Sequence, residues 1–230
     1  MKLRLSFLLV ILFVFSVPHF ALSQEKAPSA AAVAGEEAVA EAAGTPVAPV
    51  PVPEVKRSDI LRFSQDKFEA IKKLNLAKPG ASRDAGLREI VSGLLDFDKL
   101  SERSLAKRWS GLSVEQRSEY SALFKELVEL TYVDKFKKYK MDAKYKVDWE
   151  GSKVRGDKAT VTCFVKHKDT ETEIEINYEW VVAQRWEIQD VLLDGASLAD
   201  TYQKKYDKMF DERGFDGILD SMRKEIKKLK

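Results

Sequence analysis

The chain has 230 residues, 39 lysines and arginines against 37 aspartates and glutamates, 44% hydrophobic residues, one cysteine and two histidines. Charge this close to balance lacks the dense basic face of a nucleic-acid binder. A single cysteine excludes a disulfide framework within the chain, and so few His and Cys side chains leave no ligand set for zinc, so no metal or cofactor is expected.

In chain order, Lys2 and Arg4 precede an apolar run over residues 5–17, and Ala21-Leu22-Ser23 supplies small residues before Gln24. This is the layout of a secretory signal peptide over 1–23, cleaved near Ser23, and the run is too short for a bilayer span of about 20 residues. Residues 24–53 are almost entirely Ala, Pro, Val, Glu and Gly, with no aromatic residue. Such a stretch cannot bury enough surface to offset its ordering entropy, and reads as a disordered linker. A single domain is left over 54–230, in which 36 basic residues face 33 acidic ones.

Six helices are expected in that domain. Ile60, Phe63, Phe68, Ile71 and Leu74 set the first, ended by Lys78-Pro79-Gly80; Ser82 caps a second with Leu87, Ile90, Val91, Leu94 and Leu95, ending around Asp96-Phe97-Asp98. A short third piece holds Leu100, Leu105 and Trp109. Ser113-Val114-Glu115-Gln116 has the form of a capping box and opens a long helix, with Tyr120, Phe124, Leu127, Val128, Thr131, Phe136 and Tyr139 recurring at three and four over about 26 residues. After Ser197 come a helix with Leu198, Tyr202, Tyr206, Met209 and Phe210, and, beyond Gly214, a last one with Phe215, Ile218, Leu219, Met222 and Ile226.

Between them lie four strands. Tyr145, Val147 and Trp149 alternate with lysines and Asp148; Ala159, Val161, Cys163 and Val165 alternate with Thr160, Thr162, Phe164 and Lys166. In the third strand Ile174, Ile176, Tyr178, Trp180 and Val182 point one way, and Glu173, Glu175, Asn177 and Glu179 the other. The fourth is read with Trp186, Ile188, Asp190 and Leu192 on one face and Val191 and Leu193 on the other. The fold class is therefore α+β, a four-stranded antiparallel meander covered by about six helices.

Catalytic chemistry finds little support. Cys163 and His167 lie on one strand without a positioned partner, and Cys163 reads as a small core residue; no phosphate-cradling glycine loop is present. Asp190, pointing into an apolar cavity beside Tyr178, could serve as a general base, or else as a structural acid bonded to a loop or helix amide. The many aromatic residues on buried faces read either as a filled core or as the lining of a cavity.

The run from Trp109 through Leu112-Ser113, Gln116-Arg117 and Tyr120, followed by Leu123-Phe124, Leu127-Val128 and Thr131-Tyr132, resembles the signature of the MlaC family, the phospholipid-binding, toluene-tolerance proteins that serve as ABC-transporter auxiliary components. Trp186-Glu187-Ile188-Gln189-Asp190-Val191 with Asp194-Gly195-Ala196-Ser197-Leu198, and Arg213-Gly214-Phe215-Asp216 with Ile218-Leu219, are similar to its later segments. Two positions depart from it: Ala106 stands where the family usually has Gly, and Gln203 where it usually has Arg.

The resemblance implies a non-enzymatic, monomeric periplasmic carrier of phospholipid between an inner-membrane ABC-transporter complex and an outer-membrane lipoprotein complex, with acyl chains shielded between sheet and helices. On that footing Val161, Cys163, Val165, Ile176, Tyr178 and Trp180 of the strands, with Phe124, Leu127, Val128 and Tyr132 of the long helix, are the residues expected to line the lipid cavity. Tryptophan at Val161 or Cys163 is expected to fill it.

Overall fold

The computed structural model describes residues 59–138, 140–182 and 185–230. The expected signal peptide, the Ala/Pro-rich segment, Tyr139 and the Ala183-Gln184 turn lie outside the described residues. Helices α1 (Ile60–Leu76), α2 (Ala81–Leu94) and α3 (Phe97–Leu105) lead through a 3-10 segment (Ala106–Gly111) into α4 (Val114–Lys138). Strands β1 (Tyr145–Arg155), β2 (Lys158–His167), β3 (Thr172–Val182), β4 (Trp186–Leu193) and the short β5 (Ala196–Ser197) form one antiparallel sheet in sequence order, and α5 (Leu198–Leu229) closes the chain. The α+β class and the meander are as expected. The fifth strand is an addition, because two residues after the Asp194-Gly195 turn are too few to show a period.

The alternation in β2 and β3 translates directly into burial. Val161 pairs with Tyr178, Cys163 with Ile176 and Val165 with Ile174, and Ala159 faces Trp180, all on the helix-covered side. The other side pairs Lys166 with Glu173, their charges 2.5 Å apart, and Thr162 with Asn177 through a 2.6 Å hydrogen bond. Gly156, at φ 61°, opens the two-residue turn between Arg155 and Lys158. A left-handed backbone there fits the twist of a tight hairpin and favours glycine.

The fourth strand departs from the simple period. Trp180 pairs with Ile188 but Glu179 with Asp190, so Gln189 is an extra residue in β4. Such a bulge reverses the faces beyond it. Tyr178 then stands opposite Val191, and Ile176 opposite Leu193, while Leu192 pairs with Asn177 of the outer side. The expected grouping of Asp190 and Leu192 with Trp186 and Ile188 is therefore corrected, and Asp190 does not share a face with Tyr178. Helix α3 holds the bulge: Asp96 accepts from the Gln189 side-chain amide at 3.1 Å, and Arg103 donates to the Gln189 carbonyl at 3.2 Å.

Helix boundaries follow their caps. Asp96 accepts from the Lys99 amide at 2.8 Å and so starts α3, where the sequence suggested the end of the preceding helix. Helix α2 begins after Gly80, without the expected Ser82 cap. The capping box forms: the Ser113 amide donates to the Gln116 side chain at 2.9 Å and the Gln116 amide to the Ser113 hydroxyl at 3.2 Å. The two helices expected after Ser197 form, running on end to end within α5 and divided at Gly214, whose φ of 69° and ψ of −173° are not helical. Beside the N-terminal half of α4, Tyr120 stacks on Phe124 at 5.8 Å, Tyr202 meets Phe124 edge-on at 5.1 Å, and the Tyr120 hydroxyl bonds Ser104 at 2.6 Å, a closely packed aromatic core.

Ala106 closes α3 at φ 46° and ψ −119°, a backbone region costly for any residue with a Cβ. This accounts for the glycine usual at that point of the signature. Ala106→Gly is expected to stabilise the domain by about 1 kcal/mol, the strain relieved less the little packing that a half-buried methyl contributes. A rise in the urea midpoint at unchanged slope is the expected reading; an unchanged or lower midpoint would show that the turn is not strained.

Candidate functional site

Between the meander and the helices lies a cavity of about 270 Å³. Its sheet wall is built from Tyr145, Val147 and Trp149 of β1, Val165 of β2, Ile176 and Tyr178 of β3, and Ile188, Val191 and Leu193 of β4. The bulge at Gln189 matters here, since only the reversed period brings Val191 and Leu193 to this wall together with Ile188. The helical wall comes from Phe68 and Ile71 of α1, Val91, Leu94 and Leu95 at the end of α2, and Tyr132 and Phe136 of α4. Glu69 is exposed and Lys72, Lys140 and Met141 half-buried, which marks the rim.

A smaller pocket of about 50 Å³ shares Phe68, Ile71, Leu94, Trp149, Tyr178 and Ile188 with the first and adds Ser64, Lys67 and Trp180. Phe68 and Trp149 meet edge to face at 5.9 Å. The two spaces thus have a common aromatic wall.

The rim is fixed by Asn75, a residue that no local pattern singles out. It is fully buried, donates to the Phe136 carbonyl at 3.0 Å and accepts from the Met141 amide at 2.6 Å, tying the end of α1 to the chain leaving α4. A buried amide that satisfies backbone groups of another element holds that element in register.

Of the residues expected to touch lipid, Tyr132, Val165, Ile176 and Tyr178 come together on the cavity wall, and Trp180 lines the adjoining pocket. Phe124, Leu127, Val128, Val161 and Cys163 do not line it; they are buried in the packed core. These residues do face inward, but α4 packs against α2, α3 and α5 along its length, and the space is left only toward its C-terminal turns. The contributions of α1, α2 and β1 were not expected. Their stripes are visible in the sequence as Phe68, Ile71, Leu94 and Trp149, yet nothing local says which of them stays uncovered.

Burial governs the titrating groups. It pushes the phenols of Tyr132 and Tyr178 well above their ordinary values, and the Cys163 thiol up to about 12, against an opposing pull from the Tyr178 hydroxyl. A thiol held that high is no nucleophile at neutral pH. Lys135, lining the cavity with 8% exposure, is pulled down to about 8 by burial, while Asp134 acts in the opposite direction and Lys138 adds to the fall.

Asp190 is 1% exposed and its carboxylate is engaged on every side. One oxygen accepts the amides of Val191 at 2.9 Å and Ala199 at 3.1 Å; the other takes the Ser197 hydroxyl at 2.6 Å and the Arg103 guanidinium at 2.9 Å. Ser197 in turn caps α5 through the Asp200 amide at 3.1 Å. A carboxylate at a helix start satisfies amides that have no partner within the helix and suits its dipole. Among the described residues no three His, Cys, Asp or Glu side chains are placed to hold a metal ion, and no helix is long and apolar enough to cross a membrane.

The signature motifs acquire a physical meaning in this frame. Arg117 donates to the carbonyls of Trp109 and Ser110 at 3.1 Å each and lies over the Trp109 ring, locking the corner into α4. Asp194 and Gly195 take left-handed φ values of 47° and 79°, and Asp194 accepts from the Glu175 amide at 3.0 Å. Those residues build corners; Tyr132, Ile188 and Val191 of the same segments face the cavity.

No curated protein matches the chain. A solved structure of a phospholipid-binding protein from Ralstonia solanacearum, in complex with a phospholipid, superposes with a TM-score of 0.58 at 16% identity, covering 75% of this chain and 97% of that one. That likeness shows the fold. The family model of MlaC protein matches residues 62–224, the greater part of the chain and nearly all of the described domain, and the chain accordingly belongs to the MlaC family.

Proposed function

We propose that this protein is a soluble periplasmic phospholipid carrier, exported behind the signal peptide over 1–23 and acting as a monomer. It passes lipid between an inner-membrane ABC-transporter complex and an outer-membrane lipoprotein complex. The observation that carries this reading is the apolar cavity between meander and helices in a member of the MlaC family. The phospholipid held by the structural neighbour supports the same ligand class.

The physical need is plain. A diacyl lipid has roughly 30 methylenes at about 0.8 kcal/mol each, so crossing water unshielded costs on the order of 20 kcal/mol. A carrier has only to replace water by hydrocarbon, and wall polarity and volume are what it must control. The space of about 270 Å³ lies just under the roughly 300–1,000 Å³ that encloses a drug-sized ligand, so a two-chain lipid requires the helices to part from the sheet. The cavity also tells against an interaction module with a filled core, and the four donors on Asp190 tell against its use as a free base.

Native mass spectrometry of the protein purified from the cell envelope is expected to show a bound phospholipid, released on denaturation. A protein recovered folded and empty in every preparation would overturn the reading.

A further inference from the structure

Among the described residues, the indole N–H of Trp180 is a buried donor with no hydrogen-bond partner. Trp180 is 2% exposed, pairs with the small Ala159 across the strands, and meets the Phe63 ring edge to face at 5.7 Å. Trp186 and Tyr206 also carry an unpaired buried group, but neither lines the cavity or the pocket, whereas Trp180 lines the pocket of about 50 Å³ beside the first half of α1. Leaving a buried donor unpaired costs free energy, and a donor at the wall of a pocket can gain its acceptor from the pocket side.

The neighbouring polar groups decide what kind of acceptor fits. The Ser64 hydroxyl, also on this wall, donates its proton to the Ile60 carbonyl at 2.8 Å. The Tyr178 hydroxyl is engaged with the Cys163 thiol. Lys67 is half-buried at the pocket edge, with its ammonium 5.2 Å from the centre of the Phe63 ring. An incoming group therefore meets a neutral donor inside and a cation at the edge. One neutral N–H in an apolar wall does not offset the desolvation of a charged group, so the partner that suits it is a neutral oxygen. About 50 Å³ is several times the roughly 10–15 Å³ that one water needs, which leaves room for a carbonyl with its adjoining methylenes.

Resting on the carrier reading, we propose that the pocket beside α1 holds the ester linkage of the bound lipid, the Trp180 indole donating to an acyl carbonyl oxygen. The protein then prefers ester-linked to ether-linked lipids, whatever the head group. The chains run on along the apolar wall of the larger cavity, which shares Phe68, Trp149, Tyr178 and Ile188 with the pocket.

The test offers the whole protein, delipidated, an equimolar mixture of diacyl and dialkyl phosphatidylcholine in vesicles, two lipids of the same head group and matched chain length that differ in the carbonyl oxygens. Bound lipid is then identified by mass spectrometry. The wild type is expected to take the diacyl lipid in preference by roughly fivefold, the effect of one net hydrogen bond. Trp180→Phe keeps an aromatic ring, removes the donor, and should bring that ratio close to one. A second measurement needs no variant. With isotope-labelled indoles the four tryptophans give four N–H signals, and that of Trp180, assigned through its contacts with Phe63, should move downfield on loading with the diacyl lipid and not with the dialkyl one. A wild-type ratio near one, a preference that survives in Trp180→Phe, or an indole signal shifted equally by both lipids, as a water acceptor would give, overturns the proposal and leaves the carrier reading intact. A wild type that takes neither lipid overturns both.

Discussion

Asp190→Ala is expected to destabilise the domain by about 3–5 kcal/mol, the largest loss from any single side chain outside the apolar core. Two amides, a hydroxyl and a guanidinium lose their acceptor together. Arg103 is 33% exposed and can turn to water, so most of the penalty falls on the Val191 and Ala199 amides, which are buried. The start of α5 then loses its tie to the sheet, as Ser197 bonds Asp190 and caps the helix at once. Asp190→Asn keeps the shape and one acceptor, and about 1–3 kcal/mol of loss is expected. Urea denaturation of both variants measures the effect, and bound lipid in the Asn variant should follow the folded fraction. An Asn variant as stable as wild type, but with an abolished turnover on some substrate, would return Asp190 to the role of a catalytic base.

The other large effect separates cavity from core along a single strand. Val161 and Val165 share the inner face of β2, both buried, but only Val165 lines the cavity. Val165→Trp should place its ring in open space, lowering bound phospholipid severalfold at a cost under about 1 kcal/mol. Val161→Trp meets Tyr178 across the strand pair and the packed helices, so overpacking of about 1–3 kcal/mol or more is expected, with the folded fraction still able to load. Lipid phosphate per folded protein and the denaturation midpoint read the two effects independently. Equal behaviour of the two variants would mean that the acyl chains do not occupy the space beside Val165.

Both experiments reflect how far local pattern reaches. Alternation in β2 and β3 sets their faces because four hydrophobic positions against Glu and Thr leave no competing register. The capping box at Ser113 and the cap at Ser197 are legible because each satisfies amides within three residues. Asp190, an acid among apolar neighbours, needs partners on any reading, and a structural tie to a helix amide is one of the two roles open to it from sequence. Its face does not follow from the simple period, since one extra residue at Gln189 inverts everything after it. The order Trp186, Ile188, Val191, Leu193 does hold the trace of that bulge, two in-phase pairs joined by a step of three.

The amino-acid sequence by itself determined the class of fold, the meander, the helical cover, the family and the apolar character of the inner face, because each rests on short-range periodicity or on residues close in the chain. Where that face would be left unfilled was decided only in three dimensions. Phe124 and Tyr132 lie on the same stripe of α4, yet Phe124 is locked against Tyr202 and Tyr206 while Tyr132 borders open space. Two residues of like chemistry at helical spacing are equivalent to every local rule. They become different only when α5 covers one end of the helix while the other end, tied to the last turn of α1 through Asn75, borders the cavity, and those contacts join residues tens of positions apart.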